Sequence, residues 1–541
     1  MSRLLIALAL VSLLASGCKP TPRTDPCARR NSHQTSAEQQ PSSPETPPAP
    51  ATEEASAPVA PEASETPAAS SAPAAPEPAP LPSSGLVEVT ATVQDYNLLR
   101  PWEKQEGSTT QAMGIYLGDG KVLTNGASVR AATYVEISLP DHSRRAAARV
   151  LRVDPDLNLA LLSVAREQDA DLFDSRAAQT VGEPLRLGNT AELWSIIRGV
   201  IPVELSLTAE SGTEGSSVPR MQMQSVQPMP QGIATGLPVV KDGKLVALST
   251  GYHSQTQTFT CTNAEMIRRF LSQGEDDAVG TPVLGARFIG LDDPVFREYL
   301  KLQPNQGGLY LGRVKPGGAA ESAGLQEEDV VMAIDGIPVD TQGRCQHPLY
   351  GLVGAGSLVH SIKSVGEHLA LTISRDGQVQ DIDVPLNRDA VEKALLGEDK
   401  PGVQPRYIMW GGLLFQPLTS TYLQTLRATA KGLPLPFLEI DRREKELREK
   451  GYKELVALTL VIPTPATLGY DSLGFCLVEA VNGEPVHSFS EFARRLDAPT
   501  PDGIVELQLN KPPYRIYLDR QTVEKSNDII RRSAIPRLRA E

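Results

Sequence analysis

From about residue 86 the chain is written in short runs where apolar and polar residues alternate, broken by Gly, Pro, Asn and Asp. Residues 87–93 alternate as a half-buried strand does. Ile115-Tyr116-Leu117 and Val122-Leu123-Thr124 flank Gly118-Asp119-Gly120, which predicts a hairpin. Residues 135–139, 148–153 and 159–164 repeat the pattern, and strands recur to about Thr250 with Gly and Pro between them. Many short strands with turn signals predict an all-β barrel or sandwich.

Beyond residue 281 the texture changes. Residues 308–311 start a strand, Lys315-Pro316-Gly317-Gly318 is a turn, and residues 319–323 form one helical stretch ended by Gly324. A strand over 329–334 then meets an Asp335-Gly336 turn. A second unit runs from about Tyr407 to Val523. It opens with Trp410-Gly411-Gly412-Leu413-Leu414-Phe415, has an Asn482-Gly483 turn after residues 478–481, and has a helix from about Phe489. Ser488 with Glu491 three residues on is a capping box that specifies where this helix starts. The alternating charges of residues 441–450 predict a solvated helix with Glu444–Arg448 and Glu446–Lys450 pairs, and carry no chemistry.

The first residues follow another logic. Arg3, the apolar run 4–14 and Ala15-Ser16-Gly17-Cys18 read as a signal peptide, since the apolar run is too short to span a bilayer. A cysteine directly after small residues resembles a bacterial lipobox, which implies lipid on Cys18 and a membrane partner through that lipid. Residues 19–84 are Pro, Ala, Ser, Glu and Thr with almost no large apolar side chains. They cannot offset their ordering entropy by burial and predict a disordered tether. At roughly 3 Å per residue it reaches at most on the order of 200 Å.

Composition narrows the function. The 541 residues carry a net charge of −13 and 5% aromatic residues, which argues against a nucleic-acid partner. Cys27, Cys261, Cys345 and Cys476 are scattered without CxxC spacing, so free buried thiols are expected, and neither a metal site nor a cofactor is suggested.

Val122-Leu123-Thr124-Asn125 with Val129, then Asp154-Pro155 and Asn158-Leu159-Ala160-Leu161-Leu162, resemble the trypsin-like domain of the HtrA/Deg serine proteases. The segment 324–339 is similar to a PDZ core, and the later unit, its Val-Asn-Gly turn and Ile535-Pro536 are similar to the two-PDZ branch best known from plants. The resemblance covers residue 86 to the C-terminus. After the lipoprotein signal 1–18 and the linker 19–85, it implies a mostly β chain: trypsin-like double barrel 86–275, first PDZ domain 281–390, second PDZ-like domain 405–525 and tail 526–541.

At the family's catalytic positions this chain departs. The histidine position falls on Ala127 and the aspartate position on Asn158. The nucleophile motif lines up with Ile233-Ala234-Thr235-Gly236-Leu237-Pro238, so its serine becomes Thr235 and its oxyanion-hole glycine becomes Ile233. A hydroxyl needs a base to take its proton, and the matched position has none. His142 and His253, the histidines of this region, read as surface or packing residues. The resemblance therefore implies a pseudoprotease that binds peptides or unfolded or partner proteins through its PDZ grooves and holds, scaffolds or regulates them. The carboxylate-binding loops and adjoining strands are expected at Leu284, Gly285, Ala286, Arg287 and Phe288, and at Gly411, Gly412, Leu413, Leu414 and Phe415. The opposing expectation for these loops is that their glycines only make tight turns, or that the grooves are filled by the chain itself. The alternatives for the whole protein are a working serine endopeptidase and a structural subunit of an oligomer. A homo-oligomer, trimeric or a multiple, is implied by the family in any case. The implied location is the bacterial envelope on the periplasmic side, with the outer membrane favoured by Lys19 where there are two membranes.

Overall fold

The structure is a computed structural model that describes residues 85–541 apart from 175, 198, 214–215, 226–234, 275–279, 305, 430–431 and 534. Cys18, Cys27, the proline-rich tract and Ile233 lie outside the described residues.

The alternating runs do form strands. β1 (Leu86–Val93), β2 (Ser108–Gly118), β3 (Lys121–Asn125), β4 (Ala132–Ser138), β5 (Arg145–Asp154) and β6 (Leu159–Val164) close into a barrel in the order β1-β2-β3-β6-β5-β4. Val87, Val89 and Ala91 point into it beside Val122, Ile137 and Leu162. The other face of β2 and β3 gives Met113, Ile115 and Leu123 to a second core. That core fills the next barrel, made of β7 (Thr190–Ser195), β8 (Gly199–Thr213), β9 (Ser216–Ser225), β10 (Pro238–Lys241), β11 (Lys244–His253) and β12 (Thr258–Asn263). The period of two thus sends one strand face to each core.

The Asn263 side chain caps the helix Ala264–Ser272 that leaves β12. Beyond it lies a third unit, a sheet of β13 (Ala286–Gly290), β14 (Leu309–Val314), β15 (Val330–Ile334), β19 (His368–Arg375) and β20 (Gln378–Pro385), with β16 (Ile337–Pro338) paired to β15. A ribbon of β17 (Arg344–His347) and β18 (Gly351–Gly354) and the helix Ala355–Ile362 interrupt it. Arg269 joins the second barrel to this helix, donating to the carbonyls of His360, Ser361 and Lys363 in its last turn. Those carbonyls have no partner inside the helix, so the guanidinium meets an electron-rich end.

The last unit is a sheet in the order β27 (Arg515–Asp519), β26 (Ile504–Leu509), β24 (Cys476–Val481), β23 (Val456–Val461), β22 (Leu413–Pro417), β21 (Tyr407–Trp410), β28 (Arg539–Ala540), with β25 (Glu484–Pro485) on β24. Three expectations change here. Residues 526–541 are no loose tail, because they finish the helix Arg520–Ser533 and supply β28. The helix Ile440–Glu449 makes the expected Glu444–Arg448 and Glu446–Lys450 pairs, but its Ile440, Glu444 and Leu447 are buried. It is therefore a packed helix with one solvated side. At the helix Phe489–Asp497, Ser488 accepts from the Glu491 N–H as expected, whereas the Glu491 carboxylate takes the N–H of His487 rather than that of Ser488. Cys261, Cys345 and Cys476 are buried and form no disulfide among the described residues.

The β17–β18 ribbon makes the docking of the third unit sensitive to pH. His347 is buried, and its Nδ1 accepts from the N–H groups of Leu349 and Tyr350 at 2.9 and 3.2 Å, which fixes the proton on Nε2. Tyr350 in turn reaches Glu265 of the barrel's helix. Burial lowers the His347 pKa to about 4. The unfolded chain takes up the proton near pH 6.5, where the folded one cannot. The contribution is full above about pH 6.5 and is lost as pH falls towards 4, by about 2–3 kcal/mol. Urea melts from pH 7.5 to 4.5 should show that slope in the wild type and a flatter one in His347→Asn. Equal slopes would mean His347 is not the titrating group.

Candidate functional site

Two loops of the first barrel and one of the second meet between the barrels. Asn158, just before β6, lies in the left-handed region at φ 54°, a conformation asparagine tolerates better than most residues. Its carbonyl accepts from the Gly126 N–H at 3.0 Å, and its side-chain Oδ1 accepts from the Ala127 N–H at 2.7 Å. The positions matched to the acid and the base are thus bonded to each other through the Ala127 backbone. The Ala127 side chain is an exposed methyl group with no proton to exchange.

Thr235 is half-buried at the edge of the second barrel. Its carbonyl accepts from the Met113 N–H at 3.0 Å, and the Met113 carbonyl accepts from the Thr124 hydroxyl at 2.6 Å. Asn125 reaches the Thr250 carbonyl at 3.4 Å. The structure therefore brings Ala127 and Asn158 into direct contact and ties Thr235 to the same strand pair through Met113. Neither histidine of the region is placed as a base. The Nδ1 of His142, in the β4–β5 turn, lies 3.6 Å from Glu88 on β1, and that of His253 lies 3.0 Å from the Thr256 hydroxyl. His253 is four residues along β11 from Ser249, whose carbonyl holds the Gly236 N–H; that is roughly 13 Å of strand.

The Asn158 loop is also held from below. Asp154, fully buried, accepts from the Leu157 N–H at 2.8 Å, and burial raises its pKa. Arg220 of the second barrel donates to the Leu157 and Asp156 carbonyls and to Thr262; burial lowers its pKa to about 10, where it stays charged at neutral pH. Asp156 accepts from Arg388 at 2.8 Å and from the Thr281 N–H at 2.9 Å. Arg220, Thr281 and Arg388 were not expected from the sequence, since each is a lone residue outside any motif and becomes informative only through its partner.

The peptide-binding positions differ between the two C-terminal units. In the third unit, Gly285 has φ 74°, and a Cβ there would sit 3.0 Å from the Cβ of Ala390. Leu284 and Gly285 are buried, and their N–H groups have no hydrogen-bond partner among the described residues. Buried unpaired N–H groups are rare, and two in succession in a left-handed turn form a concavity that suits an anion. β13 follows at once, paired on one edge to β14 and, among the described residues, open on the other. Ala286 and Phe288 turn towards the core, Phe288 over Gly356 of the helix Ala355–Ile362. Arg287 points outward and is exposed.

In the last unit the first glycine's N–H and both edges of the following strand are taken. The Gly411 N–H donates to Asn527 of the C-terminal helix at 2.8 Å, and the Gly412 carbonyl accepts from the Ile462 N–H. Leu413, Leu414 and Phe415 are fully buried in β22, which has β21 on one edge and β23 on the other. Among the described residues, 413–415 therefore leave no unpaired sheet edge for the peptide expected there. The sequence carried the signal: the 4-residue run Tyr407-Ile408-Met409-Trp410 is apolar throughout, as a strand buried on both faces must be.

Comparisons with known proteins find likenesses along most of the chain. Models of the PDZ domain match residues 282–386 and 398–541. The chain is similar to the chloroplastic Protease Do-like 2 of Arabidopsis thaliana, at 27% identity over 76% of this chain and 67% of that protein. It is also similar to the putative mitochondrial protease Do-like 3 of the same plant, at 22% identity over 84% and 79%. Among solved structures, the HtrA-type protease AlgW with decapeptide aligns with TM-score 0.40 and 17% identity, over 56% of this chain and 95% of its own.

Gly236, next to Thr235, fixes the geometry of this cleft. It has φ 75°, and a Cβ there would lie 2.0 Å from the Met113 carbonyl oxygen. Gly236→Ala should therefore cost more than about 3 kcal/mol and lower the melting temperature sharply. A melt within a degree or so of the wild type would show that the Met113–Thr235 contact is not fixed.

Proposed function

We propose that this chain, which belongs to the HtrA/Deg family with two PDZ domains, is a pseudoprotease that uses its scaffold to bind protein C-termini and hold or regulate the proteins that carry them. The observation that carries the reading is the Ala127–Asn158 bond. In a working triad the third residue orients an imidazole and offsets its charge. Here the oxygen at that position accepts a backbone N–H, and the neighbouring position offers a methyl group. Thr235 is left without a base at the matched place, and a hydroxyl without a base is a weak nucleophile.

Binding rests on the third unit. Extended peptides add to a sheet edge through main-chain hydrogen bonds, and a C-terminal carboxylate is captured in a nest of N–H groups. β13 offers the edge, and Leu284 and Gly285 offer the N–H groups. The last unit, closed by β21 and Asn527, serves as a structural element on this reading. Assembly into a trimer or a multiple of it belongs to the proposal as a property of the family.

Hydrolysis of an unfolded protein such as casein should be undetectable for the wild type and for Thr235→Ser. Activity is expected at the earliest when His at 127, Asp at 158, Ser at 235 and Gly at 233 are introduced together, since each missing oxyanion donor costs roughly 10²–10³ in rate. Cleavage by the wild type that a fluorophosphonate blocks would overturn the pseudoprotease reading.

Anchoring in a bacterial envelope through lipid on Cys18 completes the proposal, on the motif alone. Metabolic labelling with a fatty acid should mark the wild type and leave Cys18→Ser unlabelled. An unlabelled wild type would remove the anchor.

A further inference from the structure

We propose that the third unit selects C-termini with an acidic penultimate residue and an apolar or aromatic residue at the fourth position from the end, through Arg287 and Ile289. This rests on the reading of β13 as the peptide-accepting edge.

The register follows from the loop. The carboxylate site precedes β13, so a peptide held there runs back along the strand in the antiparallel sense. Its last residue then lies opposite Ala286, the next opposite Arg287, the third opposite Phe288 and the fourth opposite Ile289. Side chains alternate between faces along a strand, and directly opposed residues share a face. The last and third side chains therefore enter the groove beside Phe288 and the helix Ala355–Ile362. The second and fourth stand on the outer face with Arg287 and Ile289.

That outer face carries charge and apolar surface in separate places. Arg287 is directly opposite Arg313 on β14. Like charges in opposed positions destabilise a sheet. Arg313 is relieved by Glu444, 3.7 Å away on the helix Ile440–Glu449. Arg287 is exposed and has no ion pair among the described residues. A carboxylate on the penultimate residue of a bound peptide would stand directly opposite it and supply the missing charge. Two residues along, beyond a bulge at Gly312, Ile289 is directly opposite Tyr310, and its side chain lies over Gly312, where a Cβ would come within 2.5 Å of its Cδ1. The Tyr310 ring beside it packs edge-on against Phe296 at 5.1 Å. Ile289 is 46% exposed and Tyr299, against Phe296, is 70% exposed. An apolar side chain opposite Ile289 would cover this surface, and a charged one would not.

The test measures binding of fluorescent peptides to the full chain by anisotropy, with peptides that differ at one position and end in a free carboxylate. With Glu at the penultimate position, binding should be about threefold tighter than with Gln and about tenfold tighter than with Lys. Arg287→Glu should reverse the order while the far-UV spectrum and melting stay unchanged. Replacing Phe by Asp at the fourth position should weaken binding to the wild type by about tenfold, and Ile289→Ala should shrink that difference. The same peptide with an amidated C-terminus, and the variant Gly285→Glu, report separately on the carboxylate site. If free-carboxylate peptides bind, amidated ones do not, and neither position matters, the specificity inference fails and the groove stands. If amidated peptides bind equally, or no peptide binds, the groove reading falls and the inference falls with it.

Discussion

The relative placement of the three functional units depends on the way the 154–158 loop is held. It belongs to the first barrel, yet its carbonyls are bonded by Arg220 from the second barrel, and its Asp156 carboxylate by Arg388 and Thr281 from beyond the barrels. Asp156 and Arg388 are largely withdrawn from water, with side chains 12% and 10% exposed. A buried pair of this kind adds little net stability over an apolar replacement, but removing one partner leaves a charge stranded. Its effect is therefore to permit one arrangement of barrels and PDZ domain and to penalise others. Arg269, spread over the last carbonyls of the helix Ala355–Ile362, fixes the same interface from a second point. Two separated attachments leave little freedom for rotation about either.

Given that rigid frame, the two PDZ domains differ by a change at one sheet edge. In both, a glycine-bearing loop leads into a strand. In the first, that strand is Ala286–Gly290, partly exposed and paired on one side. In the second, the chain immediately before the loop folds back as β21 and fills the free edge of β22, and β28 then pairs with β21. The burial pattern matches the topology. Tyr407 and Ile408 are fully buried, as a strand between two others under a helix must be, whereas Arg287 and Ile289 face water. An open edge invites pairing with another chain, and covering it is how natural sheets avoid that outcome. One domain has its edge covered by its own chain; the other keeps it open, which fits a division between a structural and a receptive domain.

Most of the fold was legible because it is built from local signals. Alternation over 87–93 gave β1, the Gly118-Asp119-Gly120 turn gave the β2–β3 hairpin, and Ser488 gave the start of the helix Phe489–Asp497. What escaped depends on partners far along the chain. The Asn527 that occupies the Gly411 N–H is separated from it by more than a hundred residues, and so is Arg388 from Asp156. The charged run 441–450 misled because a polar sequence hides a narrow apolar stripe, Ile440 and Leu447, that is enough to bury one side. In the candidate site, the identities at 127, 158 and 235 were plain from the sequence. What Asn158 does there was not, because a hydrogen bond to a backbone N–H leaves no mark in the residues it joins.

On the proposed reading, that bond bears on why the scaffold persists without the expected chemistry. A catalytic acid must leave its oxygens free to hold an imidazole in one tautomer, which costs stability because the group is oriented for a partner rather than for the fold. Asn158 is under no such demand. Its side chain closes the Gly126–Ala127 turn onto β6, and its left-handed backbone is one that asparagine accepts at low cost. On the proposed reading, giving up the reaction converts a strained functional loop into a braced one. The bracing is connected to the binding domain, since the same loop carries Asp156 and is held by Arg388, two residues before the Ala390 that packs under Gly285. A peptide seated at Gly285 would therefore press on a chain of contacts that ends at the Ala127–Asn158 contact between the barrels. On the proposed reading, with no reaction to run there, that chain of contacts holds the Gly285 loop in shape from the barrel side.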